Sequence, residues 1–223
     1  MLRAQGTRCA RKRVARLLRA AGLVGCYRRR RARTTVAEPA HTPAPNLVAR
    51  DFSAPSRDRL WIGDSTYVAT AEGWLYLAIL ADGYSRRVVG WAMADHLRAE
   101  LATDALVMAL GRRRPAAGLV HHTDRGGQYT AMAYQSRLAA RGITCTMSRA
   151  GECLDNAMAE RFFSTRKAEL VEAHYWPTRA AARLALFAWL EVWYNRQRRH
   201  SALASHSPVN FEEQLLLLRP QAA

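Results

Sequence analysis

Three neighbouring runs of β-forming residues between positions 60 and 94 constrain the fold more than any other feature of the chain. The runs are LWIGDSTYVAT, GWLYLAILAD and RRVVGWAMA, and they are rich in the β-branched and aromatic residues that strands favour. Only the short segments AEG and GYS separate them. Because connections of this length join antiparallel neighbours, the runs predict a three-stranded meander.

Helical and strand patterns alternate in the rest of the chain. A helical pattern over residues 98–114 ends before Pro115. It is followed by a short buried strand in AGLVHHT, a helix in TAMAYQSRLAARG and a strand in ITCTMS. Two further helices are predicted over residues 154–171 and 178–199. The order βββαβαβαα predicts an α/β fold with a mixed sheet, whose later strands are reached by helical crossovers.

Basic residues are concentrated near the N-terminus. The chain has a formal net charge of +16, and residues 1–50 hold 13 Lys or Arg but one acidic residue, Glu38. This part has apolar residues at helical spacing over 11–25, then a basic tract, then three prolines within 37–47. A basic arm and an extended linker indicate a polyanionic partner, with nucleic acid the first candidate.

The sequence argues against a membrane protein and against a cysteine-based metal cluster. No apolar run approaches the ~20 residues that a membrane helix needs. The four cysteines are scattered, with no pair at metal-binding spacing: Cys9, Cys26, Cys145 and Cys153. They indicate reduced thiols in a cytoplasmic protein.

Three carboxylates occupy positions at which such a fold brings side chains together. Asp64 lies inside the first predicted strand, where aspartate is rare. Asp124, in HHTDRGGQYT, follows the fourth strand at the sheet edge where sites form. Glu160 lies one turn into the DNAMAERFF helix, with Asp155 or Asn156 as the expected N-cap.

The spacing of these carboxylates is more informative than any one of them. Taken singly, Asp124 is typical of a turn and Glu160 of a solvated helix face. Three carboxylates together suit two divalent ions held about 3.5–4 Å apart for chemistry at phosphorus, and Mg²⁺ prefers oxygen ligands. There are 59 residues between Asp64 and Asp124 and 35 between Asp124 and Glu160. Lys167 follows Glu160 by seven positions, on the same helix face.

This pattern resembles that of the DDE transposases and retroviral integrases, which have Asp, Asp, 35 residues, Glu, and a basic residue seven positions later. The chain is most similar to the catalytic, second-reading-frame chain of the insertion-sequence-three transposase family. The supporting stretches lie within about residues 58–213 and include RLWIGDSTYVAT, HHTDRGGQYT, MSRAGECLDNAMAERFFSTRKAEL and WYNRQRRHSALASHSPVNFEE.

The resemblance implies an α/β, ribonuclease-H-like fold: a mixed five-stranded sheet with flanking helices, plus a short basic helical N-terminal arm. Asp64, Asp124 and Glu160 are then the catalytic residues and the ligands of two Mg²⁺ ions, for which Mn²⁺ is expected to substitute. The implied reaction is metal-dependent cleavage of a DNA strand, followed by attack of the freed 3′-hydroxyl on a second phosphodiester.

The same resemblance implies partners and a domain organisation. The expected partners are DNA (element ends and target), further copies of the chain on that DNA, and an upstream-frame helix-turn-helix protein. A membrane partner is not expected, and the expected location is the cytoplasm, at the nucleoid. Residues 1–36 are expected to form part of a helix-turn-helix-like basic arm, 37–57 a linker, 58–213 the integrase catalytic core and 214–223 a tail. The chain is thus expected to be shortened at its N-terminus.

Several polar residues are candidate contacts to DNA. They are Arg125, Gln128, Tyr129, Asn156, Lys167, Arg196, Arg198 and Arg199. We expect Arg166 to be exposed or to meet a DNA phosphate, because burying a guanidinium is costly. His121 and His122 are more typical of the core than of a metal site, since adjacent strand side chains face opposite sides.

Two other interpretations stay open at the level of sequence. A hydrolysis-only nuclease, related to ribonuclease H or the junction resolvases, would cut DNA without joining it. Lys167 and the WYNRQRRHSAL segment argue against that interpretation. A truncated, non-catalytic DNA-binding remnant would keep the basic arm and lose the reaction.

Overall fold

The computed structural model describes residues 10–23, 44–149, 152–171 and 176–217. The chain divides into two compact units, Met1–Ala32 and Arg33–Ala223. In the first unit the described residues form helix α1, Arg11–Ala20, and none of its side chains is buried. The basic tract, the beginning of the predicted linker and the last six residues of the predicted tail lie outside the described residues.

A mixed five-stranded sheet forms the centre of the second unit. Its strands are β1 (Leu60–Thr70), β2 (Gly73–Asp82), β3 (Val88–Ala94), β4 (Val120–Thr123) and β5 (Thr144–Met147). They lie in the order β3-β2-β1-β4-β5. The first three strands pair antiparallel, while β4 pairs parallel with both β1 and β5. The predicted meander and the predicted mixed sheet are therefore confirmed.

Among the described residues of the second unit, six α-helices pack around this sheet. They are α2 (Ala99–Arg113), α3 (Gly127–Thr130), α4 (Met132–Ala139), α5 (Ala157–Arg166), α6 (Arg179–Ala188) and α7 (Pro208–Leu217). Helices α5 and α6 continue as π-helical turns over Lys167–Val171 and Trp189–Gln197. No helix in the described parts of the chain is long and apolar enough to span a bilayer.

Alternation along the strands divides the core between the two faces of the sheet. On one face, Trp61 and Leu80 pack with residues of α2 and α4. On the other, Leu77 and Ile79 pack with residues of α5 and α6. Helix α2 packs so closely against β3 that a Cβ at Gly90 would come within 2.2 Å of the Ala105 carbonyl oxygen. Burial of each large apolar side chain contributes about 1.5–3 kcal/mol.

Residues 44–57, which the sequence places in a linker, make specific contacts with the core. The Leu47 amide donates to the Thr146 hydroxyl at 2.8 Å, and this hydroxyl donates to the Pro45 carbonyl at 2.9 Å. Val48 is buried beside Leu60 and Ile62. This part of the chain is therefore attached to the sheet of the second unit rather than extended away from it.

Arg166 is buried, so the expectation that it is exposed is wrong. Its side chain is 2% exposed. The guanidinium lies 5.7 Å from the centre of the Phe163 ring, and Nη2 donates to the Thr66 hydroxyl at 3.4 Å. The aromatic face and the hydroxyl offset part of the cost of removing this cation from water.

Helix α7 has no counterpart among the predicted helices, and it crosses the predicted boundary between core and tail. Its buried face includes Glu212, a charged residue that interrupts the apolar pattern. Both Glu212 carboxylate oxygens accept hydrogen bonds from Arg113 at 2.8 Å, and Arg87 and Ser85 donate to them as well. Burial opposes ionisation, but these donors hold the pKa of Glu212 below its ordinary value.

We predict that Glu212→Gln lowers the free energy of unfolding by about 3 kcal/mol, because it leaves Arg113, which is 9% exposed, without its full counter-charge. Urea denaturation measures this change. Glu213→Gln is the matched control, since Glu213 is the next residue and is exposed. Equal losses in the two variants would contradict the assignment of Glu212 as the anchor of α7.

Candidate active site

The parallel pairing of β1 with β4 brings Asp64 and Asp124 together. The paired residues are Leu60 with Val120, Trp61 with His121 and Ile62 with His122, each 60 positions apart. Continuing this register by two residues places Asp64 beside Asp124. Since neighbouring strands lie about 4.8 Å apart and alternate residues share a face, the two side chains are neighbours on one face.

A buried tyrosine lies within the electrostatic reach of both carboxylates. The Tyr129 hydroxyl lies 2.9 Å from the Ser65 hydroxyl, and the side chain is 1% exposed. Burial raises the pKa of Tyr129 well above its ordinary value, and the negative charges of Asp64 and Asp124 raise it further. Both carboxylates therefore act on the same buried hydroxyl.

Backbone amides orient each of these carboxylates. The Ser65 amide donates to Oδ1 of Asp64 at 2.7 Å, and the Gly126 amide donates to Oδ1 of Asp124 at 3.0 Å. Burial raises the pKa of Asp124 above its ordinary value, although the Gly126 amide opposes this change. Two acidic groups side by side, one of them desolvated, form a position that favours a cation.

Glu160 lies on the helix that covers the same face of β1. Ala159 packs against Ile62, and alternate strand residues such as Ile62 and Asp64 share a face. Glu160 itself is partly exposed. Among the described residues, no three His, Cys, Asp or Glu side chains converge into a group that could hold a metal ion. Asp64 and Asp124 thus lie at matching positions, two residues beyond the last β1–β4 pair, Ile62 with His122, and Glu160 lies on the adjoining helix.

His121 and His122 are part of the protein interior. Both are 0% exposed. Nε2 of His121 lies 2.7 Å from the Tyr134 hydroxyl, and Nε2 of His122 lies 2.7 Å from the Asp155 carbonyl oxygen. Burial lowers the pKa of both rings, that of His121 to about 4. They are neutral supports of β4, which agrees with the interpretation that the sequence favours.

Two residues proposed to contact DNA are buried, which corrects those predictions. Tyr129 is 1% exposed and Asn156 is 6% exposed, so neither is accessible to DNA in this arrangement. Asn156 occupies the N-cap position of α5, but its side chain makes no capping hydrogen bond. The other expected cap, Asp155, is instead bound by Arg149. Sequence patterns did not indicate burial, because both residues lie in short polar segments.

The remaining candidate DNA contacts differ in how available they are. Lys167 is exposed at the end of α5, and Arg196 and Arg199 are exposed at the end of the π-helical turns that follow α6. Arg198 is paired with Glu169, with Nε 2.9 Å from Oε1.

The loop after β4 carries the last two candidates. Gln128 is partly exposed in α3. Nε of Arg125 donates to the Ser148 carbonyl at 2.7 Å, which ties this loop to the segment after β5.

Gly63 leaves room on β1 for the side chains of His121 and Thr123 of β4. A Cβ at this position would lie 2.8 Å from Cε1 of His121 and 3.1 Å from Cγ2 of Thr123. We predict that Gly63→Ala lowers the free energy of unfolding by about 1–3 kcal/mol, as overpacking does elsewhere. In Gly111→Ala the new methyl group meets nothing within 4 Å, and this helical control should gain up to about 1 kcal/mol. A Gly63→Ala chain as stable as the unaltered one would contradict the observed packing of His121 and Thr123 over Gly63.

The neutral state of His121 predicts a loss of stability in mild acid. The unfolded chain takes up a proton at this residue near pH 6.5, whereas the folded chain does so only near 4. Unfolding is therefore favoured as the pH falls between these values, by up to about 3 kcal/mol. Denaturation curves at pH 7, 6 and 5 should show a smaller loss for His121→Gln than for the control His96→Gln. Equal losses would show that His121 does not contribute.

The sequence also matches known protein families and relatives. The integrase core domain family matches residues 54–153, and a second integrase core domain family matches residues 141–208. The transposase for insertion sequence element IS904 of Lactococcus lactis subsp. lactis (strain IL1403) is 40% identical over 202 residues, which cover 91% of this chain and 80% of the relative. Transposase InsF for insertion sequence IS3fB of Escherichia coli (strain K12) is 41% identical over 215 residues, covering 96% and 75%.

Solved structures of more distant proteins share the fold. The simian T-cell lymphotropic virus intasome, in complex with PP2A regulatory subunit B56 gamma, contains a chain that matches with a TM-score of 0.60 at 17% identity, over 84% of this chain and 63% of that one. The HTLV-2 integrase catalytic core domain with magnesium, in its trimeric form, matches with a TM-score of 0.53 at 15% identity, over 71% and 99%. These solved structures show a shared fold, and the family matches and sequence relatives identify the chain as a DDE-type transposase of the IS3 family, in the transposase and integrase superfamily.

Proposed function

We propose that Asp64, Asp124 and Glu160 are the catalytic residues of this transposase and the ligands of its divalent metal ions. The observation that carries the proposal is the parallel register of β1 and β4, which makes Asp64 and Asp124 neighbours although 60 positions separate them. Glu160 is the third member, on the helix that packs over the same face. The reaction would be strand cleavage at the ends of the element, followed by 3′-hydroxyl strand transfer into target DNA.

The side chains fit a hard divalent cation. All three donors are carboxylate oxygens, the ligand type that Mg²⁺ prefers, and Mn²⁺ accepts the same set. Burial raises the pKa of Asp124, so its negative charge, beside that of Asp64, would be stabilised by a cation. When bound, two such ions activate the attacking oxygen and stabilise the leaving one.

The protein's own part in this reaction is positioning. Amides of Ser65 and Gly126 fix one oxygen of each aspartate. The hydroxyl of the buried Tyr129 contacts that of Ser65 and so supports β1 from the face opposite Asp64. Phosphoryl transfer of this kind requires aligned groups and charge stabilisation rather than a protein nucleophile.

The charge of the chain supports binding to DNA. A net charge of +16 favours a polyanion, and the exposed cations Lys167, Arg196 and Arg199 are candidate contacts to phosphate. We also propose that the chain assembles as a homo-oligomer, because two element ends must be held together. An upstream-frame helix-turn-helix protein is a further proposed partner in recognising those ends.

The proposed roles predict that Asp124→Asn abolishes strand transfer. Incubation of the protein with labelled element-end DNA and Mg²⁺ or Mn²⁺ should give joined products. Loss of the metal-binding carboxylate should lower their yield by at least about 100-fold. Asp95→Asn is the matched control, because Asp95 is exposed in the turn after β3 and distant in sequence from all three carboxylates.

Other results would identify another function. Nicked DNA without joined products indicates a nuclease that only hydrolyses. Metal-independent DNA binding without cleavage indicates a non-catalytic remnant. Full activity of Asp124→Asn would remove this residue from the site.

A further inference from the structure

The buried carboxylate of Asp155 binds three residues from two parts of the chain. Its side chain is 0% exposed. It accepts hydrogen bonds from Nδ2 of Asn46 at 2.8 Å, from Nε of Arg50 at 3.0 Å, and from Arg149 through the backbone amide at 3.0 Å, Nε at 2.9 Å and Nη2 at 3.1 Å. We refer to these four residues as the Asp155 clamp. Bonds from Arg149 hold the pKa of Asp155 well below its ordinary value, so the clamp is charged.

The main chain of Asp155 connects the clamp to the elements that carry the catalytic carboxylates. Its carbonyl oxygen lies 2.7 Å from Nε2 of His122, which precedes Asp124 by two residues on β4. In the other direction, α5 begins two residues later, at Ala157, and carries Glu160. Asp155 therefore connects strand β4, which Asp124 follows, to helix α5, which carries Glu160.

The clamp also fixes the segment that precedes the catalytic core. Oδ1 of Asn46 accepts hydrogen bonds from the amides of Val48 at 3.1 Å and Ala49 at 2.9 Å, which form a tight turn. The Leu47 amide donates to Thr146 of β5 at 2.8 Å. The segment is thus held against the sheet on one side and against Asp155 on the other.

Stability alone is a weak explanation for this arrangement. Burying a carboxylate costs several kcal/mol, and its partners Arg50 and Arg149 stay 43% and 55% exposed, so solvent screens their attraction to Asp155. A charged, hydrogen-bonded clamp does, however, fix the position of the carboxylate, because a guanidinium that donates through two nitrogens tolerates a narrow range of carboxylate positions. The fixed position is the entrance to α5, one turn before Glu160.

We propose that Asp155 is a positioning residue that sets the place of Glu160 relative to Asp64 and Asp124; this inference rests on the proposed function of those three carboxylates. It acts through the start of α5 and through His122, and does not touch the reacting atoms. The residues before the core take part, because Asn46 and Arg50 complete the clamp.

Asp155→Asn tests this role, with Glu152→Gln as the matched control. Glu152 binds the same Arg50 but is exposed and makes no bond to Asp155's side chain. We expect Asp155→Asn to lower the strand-transfer rate at saturating DNA by about 10–100-fold. The DNA concentration that gives half the maximal rate should stay unchanged, and the Mg²⁺ concentration that does so should rise. Glu152→Gln should match the unaltered chain in all three measurements.

Hydrogen–deuterium exchange supplies a readout that does not depend on activity. Faster exchange confined to residues 152–160 and 44–50 in Asp155→Asn is expected when the clamp opens. If that variant does not fold, Arg149→Gln opens the clamp from a side chain that is 55% exposed. An opened clamp with an unchanged strand-transfer rate and Mg²⁺ requirement would overturn the inference. An unaltered chain that gives no metal-dependent products would instead overturn the proposed function, and would leave the exchange pattern to decide whether the clamp orders α5.

Discussion

The parallel pairing of β1 with β4 is the constraint on which the rest of the structure depends. It pairs residues 60 positions apart, and its continuation by two residues sets Asp64 beside Asp124. Gly63 leaves room for side chains of β4, since a Cβ there would collide with the side chains of His121 and Thr123. The helix that carries Glu160 then packs on the same face, through Ala159 against Ile62. The site is thus a consequence of the sheet rather than of a loop.

Buried charges fasten the less regular parts of the chain to this sheet. Asp155 holds the segment before the core and the start of α5. Glu212 holds α7 against Arg113 and Arg87. Each carboxylate has several charged or polar donors, which offset the cost of its desolvation. In both cases the charged contacts add to apolar contacts of the same elements, such as those of Val48 and Val209.

The sequence predicted those features that have a local signature. The bounds of β1 and β2 follow from runs of β-branched and aromatic residues. Asp64 was a candidate because aspartate is unusual inside a strand, and Asp124 because it directly follows one. The features that the sequence did not predict depend on distant partners. Asn46 lies in a proline-rich stretch and meets Asp155 at a separation of 109 residues. Arg166 is stabilised in the interior by Thr66, 100 residues away. Helix α7 buries the charged Glu212 beside Pro208 and Val209, and Glu212 is bound by Arg113, 99 residues away. No local pattern encodes such contacts.

Binding of Mn²⁺, followed through the electron paramagnetic resonance signal of the free ion, tests the central claim most directly, namely that Asp64 and Asp124 act as one metal site. We predict that Asp64→Asn, Asp124→Asn and the double variant lose affinity to a similar extent, because either change breaks the shared pair and the effects of coupled residues do not add. Asp95→Asn should bind as the unaltered chain does. A single variant that binds Mn²⁺ as tightly as the unaltered chain, or losses that add in the double variant, would contradict a shared site.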